Sequence, residues 1–84
     1  MGSARRPQPV KLAKKLFQIR KRLGLSQGQL FKKLESCGAT IYPAHISGYE
    51  SGTREPPLPV LLRYAELAGV STDVLINDKL SLPK

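Results

Sequence analysis

The sequence offers few side chains that could carry out covalent or acid–base catalysis. The chain contains one histidine, His45, one cysteine, Cys37, and six acidic residues among its 84. Their spacing provides no nucleophile beside a base, no paired carboxylates and no phosphate-cradling glycine loop. A single cysteine excludes an intramolecular disulfide and a cysteine-based zinc site. We therefore expect no enzymatic activity, no cofactor and no bound metal.

Positive charge is the chemistry that this sequence has in excess. Lysines and arginines number 14 against six acidic residues, which gives a formal net charge of +8. Such a surplus on a small domain attracts polyanions, although it can also serve solubility alone. The composition alone is therefore equally consistent with a nucleic-acid partner and with solubility. Because the chain lacks an apolar run of about 18 residues and a signal peptide, we expect a cytoplasmic protein without membrane contacts.

Helices must position these residues, because no stretch shows the alternation of a strand. Residues 1–9 read as a flexible basic arm that holds Arg5, Arg6 and two prolines. An amphipathic first helix is then predicted from Val10 to Gly24. Its inner face would hold Leu12, Leu16, Ile19 and Leu23, and its outer face Lys11, Lys14, Lys15, Lys21 and Arg22.

The second and third helices carry clear start and stop signals. Ser26 and Gln29 form a capping box that starts helix 2, and Gly38 predicts its end near Cys37. The proline of Tyr42-Pro43 starts helix 3, which is predicted to run to Ser51 and end at Gly52. Its inner side would hold Ile46, Tyr49 and Glu50.

Two further helices complete the predicted all-α domain. Helix 4 is expected over Leu58 to Ala68, and Ser71 caps a short fifth helix. The inward residues of helix 4 would be Leu61, Leu62, Ala65 and Ala68, and helix 5 contains Val74, Leu75 and Ile76. The chain is therefore divided into the arm 1–9, a domain over 10–77, and a tail over 78–84 anchored by Leu80 and Leu82.

Several short segments together resemble the Cro and phage-repressor family of helix-turn-helix domains, also called Xre-like. They are Leu23-Gly24-Leu25-Ser26-Gln27, Leu30, Ile46-Ser47-Gly48-Tyr49-Glu50-Ser51-Gly52, Pro56, Leu67-Ala68-Gly69-Val70-Ser71 and Asp73-Val74-Leu75. The resemblance covers about residues 10–77 and implies a five-helix, lambda-repressor-like DNA-binding domain. It places helix 3 in the major groove and helix 2 across the phosphate backbone. The stretch between Leu30 and Ile46 is longer than in the family, so we expect a longer helix 2 and a widened connection over 35–41.

The resemblance also implies which residues face double-stranded DNA. The base-reading positions fall at Pro43, Ala44 and Gly48, and the neighbouring candidates are His45, Ser47 and Ser51. Proline and glycine offer no side-chain hydrogen bond, and alanine offers only a methyl group to thymine. Specificity would then rest on His45 and Ser47, the widened connection, the arm or DNA shape. Gly48 could also bring the helix backbone closer to the groove floor.

Four more residues receive roles from the same resemblance. Gln27, at the start of helix 2, suits a phosphate oxygen, and Arg54 lies in a loop that contacts phosphate in the family. Arg20 and Glu50 match a pair that holds helix 3 at a fixed angle. The alternatives are a simple first-turn residue at 27, a solvated charge at 54 and an ordinary exposed ion pair.

Two functions from different classes follow from these observations. The first is a sequence-specific transcription regulator that binds near-palindromic DNA as a homodimer. The second is a protein-interaction module, antitoxin-like or adaptor-like, because one fold can serve either purpose. The weak base-reading set favours the second, whereas the charge favours the first.

Overall fold

The computed structural model describes residues 11–36, 38 and 40–83. Over these residues the fold contains five helices and no strand, which confirms the predicted all-α class. The helices are α1 (Leu12–Leu23), α2 (Gln27–Leu34), α3 (Pro43–Ser51), α4 (Leu58–Ala68) and α5 (Thr72–Ile76). The predicted arm over 1–9 and the predicted end of helix 2 at Cys37 lie outside the described residues.

Local chemistry starts α2 and α3 where the sequence predicts. The Ser26 hydroxyl oxygen accepts from the Gln29 backbone N–H at 3.1 Å, and the Gln29 side chain accepts from the Ser26 N–H at 2.8 Å. This reciprocal capping satisfies two donors that the first turn would otherwise leave unpaired. Pro43 occupies the first turn of α3, where its missing N–H costs nothing. Gly52 ends α3 in the left-handed conformation, with φ of 83°.

One core, shared by all five helices, holds α3 in place. The largest fully buried side chains are Leu16, Ile19, Leu30, Leu34, Ile46, Tyr49, Val60, Tyr64 and Leu75. Helix α3 packs against both α1 and α2, and α1 also packs against α4 and α5. Leu82 from the tail joins the same core. Because α3 is buried from two sides, its remaining side has a fixed orientation relative to the rest of the domain.

Helix α2 is shorter than the sequence analysis predicts. It ends at Leu34, and Glu35 still donates its N–H to the Phe31 carbonyl at 2.8 Å. Glu35 and Ser36 are exposed, so another turn here would add little apolar surface to the core. The connection over residues 35–42 therefore contains all the residues by which this chain exceeds the spacing of the family that it resembles. It is anchored by Ile41, which is buried in the core.

Four predicted side-chain environments are wrong. Leu23, expected on the inner face of α1, and Leu80, expected to anchor the tail, are both exposed. Lys15, expected on the outer face of α1, is buried, and its Nζ donates to the Val74 carbonyl at 2.6 Å and the Asn77 carbonyl at 3.0 Å. These carbonyls lie at the end of α5, where a lysine ammonium is favourable. Leu62, expected inside, is exposed, because α4 instead buries its neighbours Val60 and Tyr64. The carbonyl groups at the end of α5 thus decide the orientation of Lys15.

Tyr64 gives the stability of this core a testable pH dependence. Its side chain is fully buried, and its hydroxyl has no hydrogen-bond partner among the described residues. Burial, together with the negative charge of Glu50, raises the pKa of Tyr64. The unfolded chain ionises this phenol near pH 10 while the folded chain keeps the proton, so the stabilisation is complete below pH 10. It is lost above that pH, by about 1.4 kcal/mol per pH unit.

Tyr64→Phe should remove this pH dependence, because phenylalanine has no proton to lose. Denaturant unfolding between pH 8 and pH 11 should show the wild-type free energy falling more steeply above pH 10 than that of the variant. At pH 7 the variant should be at least as stable, because the substitution removes an unpaired buried hydroxyl. Parallel curves for the two proteins across this range would contradict the assignment.

Candidate nucleic-acid interface

Helix α3 presents a side of small residues away from the core. Ile46 and Tyr49 point inward and are buried, whereas Ala44, Ser47 and Ser51 are exposed. A helix turns by 100° per residue, so positions 44, 48 and 51 lie roughly opposite the buried side. The side of α3 that is available to a partner therefore has very short side chains, so the helix backbone lies close to its surface.

His45 is held at the start of α3. Its Nδ1 accepts the backbone N–H of Tyr42 at 3.3 Å, so the neutral ring carries its proton on Nε2. The ring meets Tyr42 edge-on, with centroids 5.3 Å apart, and lies 6.2 Å from the Tyr49 ring. Nε2 is thus the atom of His45 that could donate to a base or phosphate. The exposed ring of Tyr42 beside it was not singled out from the sequence, although an aromatic residue just before a helix-starting proline is visible there.

Arg20 and Glu50 form a bidentate ion pair between α1 and α3. Arg20 Nε and Nη2 donate to the two Glu50 oxygens at 2.7 and 3.1 Å, and Nη1 donates to the Leu25 carbonyl at 3.0 Å. The side chains are only 13% and 7% exposed. The hydrogen bond to Glu50 raises the pKa of Arg20. The guanidinium also lies 5.4 Å from the centroid of the Phe17 ring.

Gln27 extends this cluster to the start of α2. Its Nε2 donates to Glu50 Oε1 at 3.2 Å, so the side-chain amide binds a carboxylate within the domain. One carboxylate thus connects α1, the start of α2 and the last turn of α3. The relative angle of α2 and α3 is fixed by these contacts. A phosphate contact at position 27 would then fall to the backbone N–H of the first turn of α2.

The turn after α3 folds back onto the helix at Gly48. The backbone N–H groups of Thr53 and Arg54 donate to the Gly48 carbonyl at 3.0 and 3.2 Å. The Ser51 and Thr53 hydroxyls are 3.0 Å apart, which closes the same turn. A Cβ atom at position 48 would lie 2.9 Å from the Arg54 Cβ, which is closer than such atoms approach in proteins. The space beside Gly48 is therefore already occupied by the turn, in contrast to the open approach to the groove floor expected from the sequence.

Comparison with known protein families decides the assignment of this arrangement. A family model described as helix-turn-helix matches residues 16–75, which is most of the chain. The chain belongs to the helix-turn-helix family of the Cro and phage-repressor type. No sequence among the curated proteins matches it. The predicted family and the five-helix fold are confirmed.

In this helix-turn-helix domain, α2 and α3 are the two helices of the motif, and the connection over 35–42 is its elongated turn. The family match supports DNA binding as the role of the domain. The Arg20, Glu50 and Gln27 cluster lies at the end of the motif where α2 begins and α3 ends. His45 lies at the other end of α3, beside the connection. None of the described helices is long and apolar enough to cross a membrane.

Proposed function

We propose that the domain is a sequence-specific transcription regulator that binds double-stranded DNA with α3 in the major groove. The observation that carries the proposal is the orientation of α3 in a helix-turn-helix domain. Its inner side is buried, the bidentate ion pair fixes its angle, and the residues of α3 on its opposite side have short side chains. A helix held in this way can enter a groove without reorganising first.

The polar atoms around α3 support the DNA contacts. Ser47 and Ser51 offer hydroxyls on the exposed side, and His45 offers Nε2 at the helix start. Pro43 and Ala44 are exposed and suit apolar contact with thymine methyl groups. The backbone N–H of Gln27 suits a phosphate, as does the start of α2 in general. The net charge of +8 provides the long-range attraction.

The proposal includes a homodimer formed through α4 and α5. Exposed apolar side chains line one groove of about 460 Å³ there, and they include Leu58, Leu62 and Ile76. In this arrangement a second copy of the chain covers the groove. Two α3 helices related by a two-fold axis would read half-sites about 10 base pairs apart, centre to centre.

Salt dependence of binding tests the DNA-binding proposal. We expect DNA duplexes of mixed sequence to be retained in a gel-shift assay. For each phosphate that the protein neutralises, the logarithm of the binding constant should fall by about 0.9 when the salt concentration rises tenfold. Selection of bound genomic fragments should return a recurrent motif with two-fold symmetry. Polyglutamate is the control competitor, because it carries negative charge without grooves. Equal competition by polyglutamate, or no salt-sensitive retention, would contradict the proposal and favour a protein-interaction module.

A further inference from the structure

The three base-reading positions of α3 lack hydrogen-bonding side chains, and Arg54 lies beside one of them, Gly48. Pro43, Ala44 and Gly48 provide no side-chain hydrogen bond toward a base. A Cβ atom at position 48 would lie 2.9 Å from the Arg54 Cβ and 3.8 Å from its Cδ. The Arg54 side chain therefore passes beside position 48, in space that it shares with the Thr53 hydroxyl, which would lie 3.4 Å from the same Cβ atom.

The backbone of the turn places Arg54 there. Gly52 adopts a positive φ of 83°, which reverses the chain at the end of α3. The Thr53 and Arg54 N–H groups then both donate to the Gly48 carbonyl, as described above. The absence of a side chain at Gly48 is what permits this close return, because any Cβ would collide with the first carbon of the arginine side chain.

The side of α3 that Arg54 follows is the side proposed to enter the major groove. Position 48 lies opposite Ile46 and Tyr49, which are buried, and Arg54 itself is exposed. If α3 enters the groove, the Arg54 guanidinium enters beside it. Arginine in the major groove donates two hydrogen bonds to O6 and N7 of guanine, the commonest specific contact in protein–DNA complexes.

We propose that Arg54 is the specificity-determining residue of this surface and recognises guanine, and that Gly48 is the positioning residue that makes room for it. The assignment replaces the phosphate contact expected for position 54 from the family resemblance. It also explains how an α3 with short side chains can select a sequence. The inference rests on the proposed function, since it requires α3 to lie in the major groove.

Selection and sequencing of bound duplexes tests the role of Arg54. The wild-type protein should prefer guanine at one position of each half-site by about 5- to 150-fold, the discrimination of one bidentate pair. Arg54→Ala should abolish that preference while leaving the other positions of the motif unchanged. Arg54→Lys keeps the charge but loses the planar pair of donors, so it should reduce the preference as well. Arg22→Ala is the control, because Arg22 lies on α1 and contacts the tail at Pro83.

Gly48→Ala tests the positioning role with Arg54 still present. The added methyl group should displace Arg54 and reduce the guanine preference, and in an Arg54→Ala background it should change the preference no further. Thermal unfolding provides a second measurement. Gly48→Ala should destabilise both the wild type and Arg54→Ala, because each has a Cβ atom at position 54. The same substitution should reduce stability less in an Arg54→Gly background.

The possible failures of these experiments are distinguishable. If Arg54→Ala and Arg54→Lys leave the preference profile unchanged, with Arg54→Ala weakening all sequences equally, Arg54 contacts phosphate and the inference is wrong, while the proposed function stands. If Gly48→Ala is equally costly in the Arg54→Gly background, the positioning role is wrong. If the wild-type protein shows no salt-sensitive binding to any duplex, the proposed function fails and the inference fails with it.

Discussion

Arg20→Ala and Glu50→Ala should each lower the free energy of unfolding by about 3–5 kcal/mol, the usual cost of breaking a buried ion pair. The two side chains are 13% and 7% exposed and share two hydrogen bonds. Without Arg20, the Glu50 carboxylate keeps its hydrogen bond from the Gln27 amide but loses this charged partner. Removing Glu50 leaves the guanidinium with the Leu25 carbonyl. Thermal and urea unfolding measure both losses.

Lys32→Ala is the matched control for this prediction. Lys32 and Glu35 are 4.0 Å apart, and their side chains are 76% and 46% exposed. Because solvent screens such a pair, its loss should cost less than about 1 kcal/mol. Replacing both Arg20 and Glu50 by apolar residues of similar size should cost less than the two single substitutions together, because no charge is then left buried alone. Stability near wild type for both alanine variants would show that the pair is solvated in solution.

The positions of α3 and α4 could be predicted because local chemistry determines them. A proline at the first turn and a left-handed glycine after the last turn define α3, and Gly69 ends α4 in the same way. The end of α2 could not be predicted from Gly38, although that residue does have a positive φ of 96°. A helix continues only while its next turn has apolar surface to bury, and Glu35 and Ser36 provide none.

The errors at Lys15 and Leu62 have a common physical origin. Helical periodicity identifies which residues share a face, but it does not show what packs against the edges of that face. Lys15 lies at such an edge, and α5 ends beside it with two carbonyls that need donors. Tyr64 takes the inner position on α4 that the sequence analysis assigned to Leu62. Only the tertiary packing of the helices supplies this information.

The candidate site shows the same division between local and tertiary information. Arg20 and Glu50 were paired from the family resemblance, since 30 positions separate them and no local rule connects them. The contact between Gly48 and Arg54 was not predicted. Glycine at position 52 indicates a reversal of the chain, but the path of the next two residues depends on the Gly48 carbonyl, which binds both of their N–H groups.

Leu62→Glu should convert a dimer into a monomer and lower affinity for a two-half-site operator by about 100- to 10,000-fold. The groove between α4 and α5 is lined by Leu58, Leu62 and Ile76, which are 77%, 52% and 46% exposed. An apolar surface of this kind is stabilised when a second copy covers it. A carboxylate at position 62 would be desolvated in that contact without a partner, so association becomes unfavourable. The folded monomer should be little affected, because Leu62 contributes little to the core.

Leu80→Glu is the matched control, since it makes the same chemical change on the tail, outside the residues that line this groove. Sedimentation should show dimers for wild type and Leu80→Glu, and monomers for Leu62→Glu at the same protein concentration. Affinity for an isolated half-site should be the same for all three proteins, because α3 and its turn are unchanged. The loss of affinity for the operator with two half-sites therefore measures only the contribution of the contact between two copies. A wild-type monomer that protects one unpaired half-site in footprinting would exclude the dimer and assign the groove to another partner.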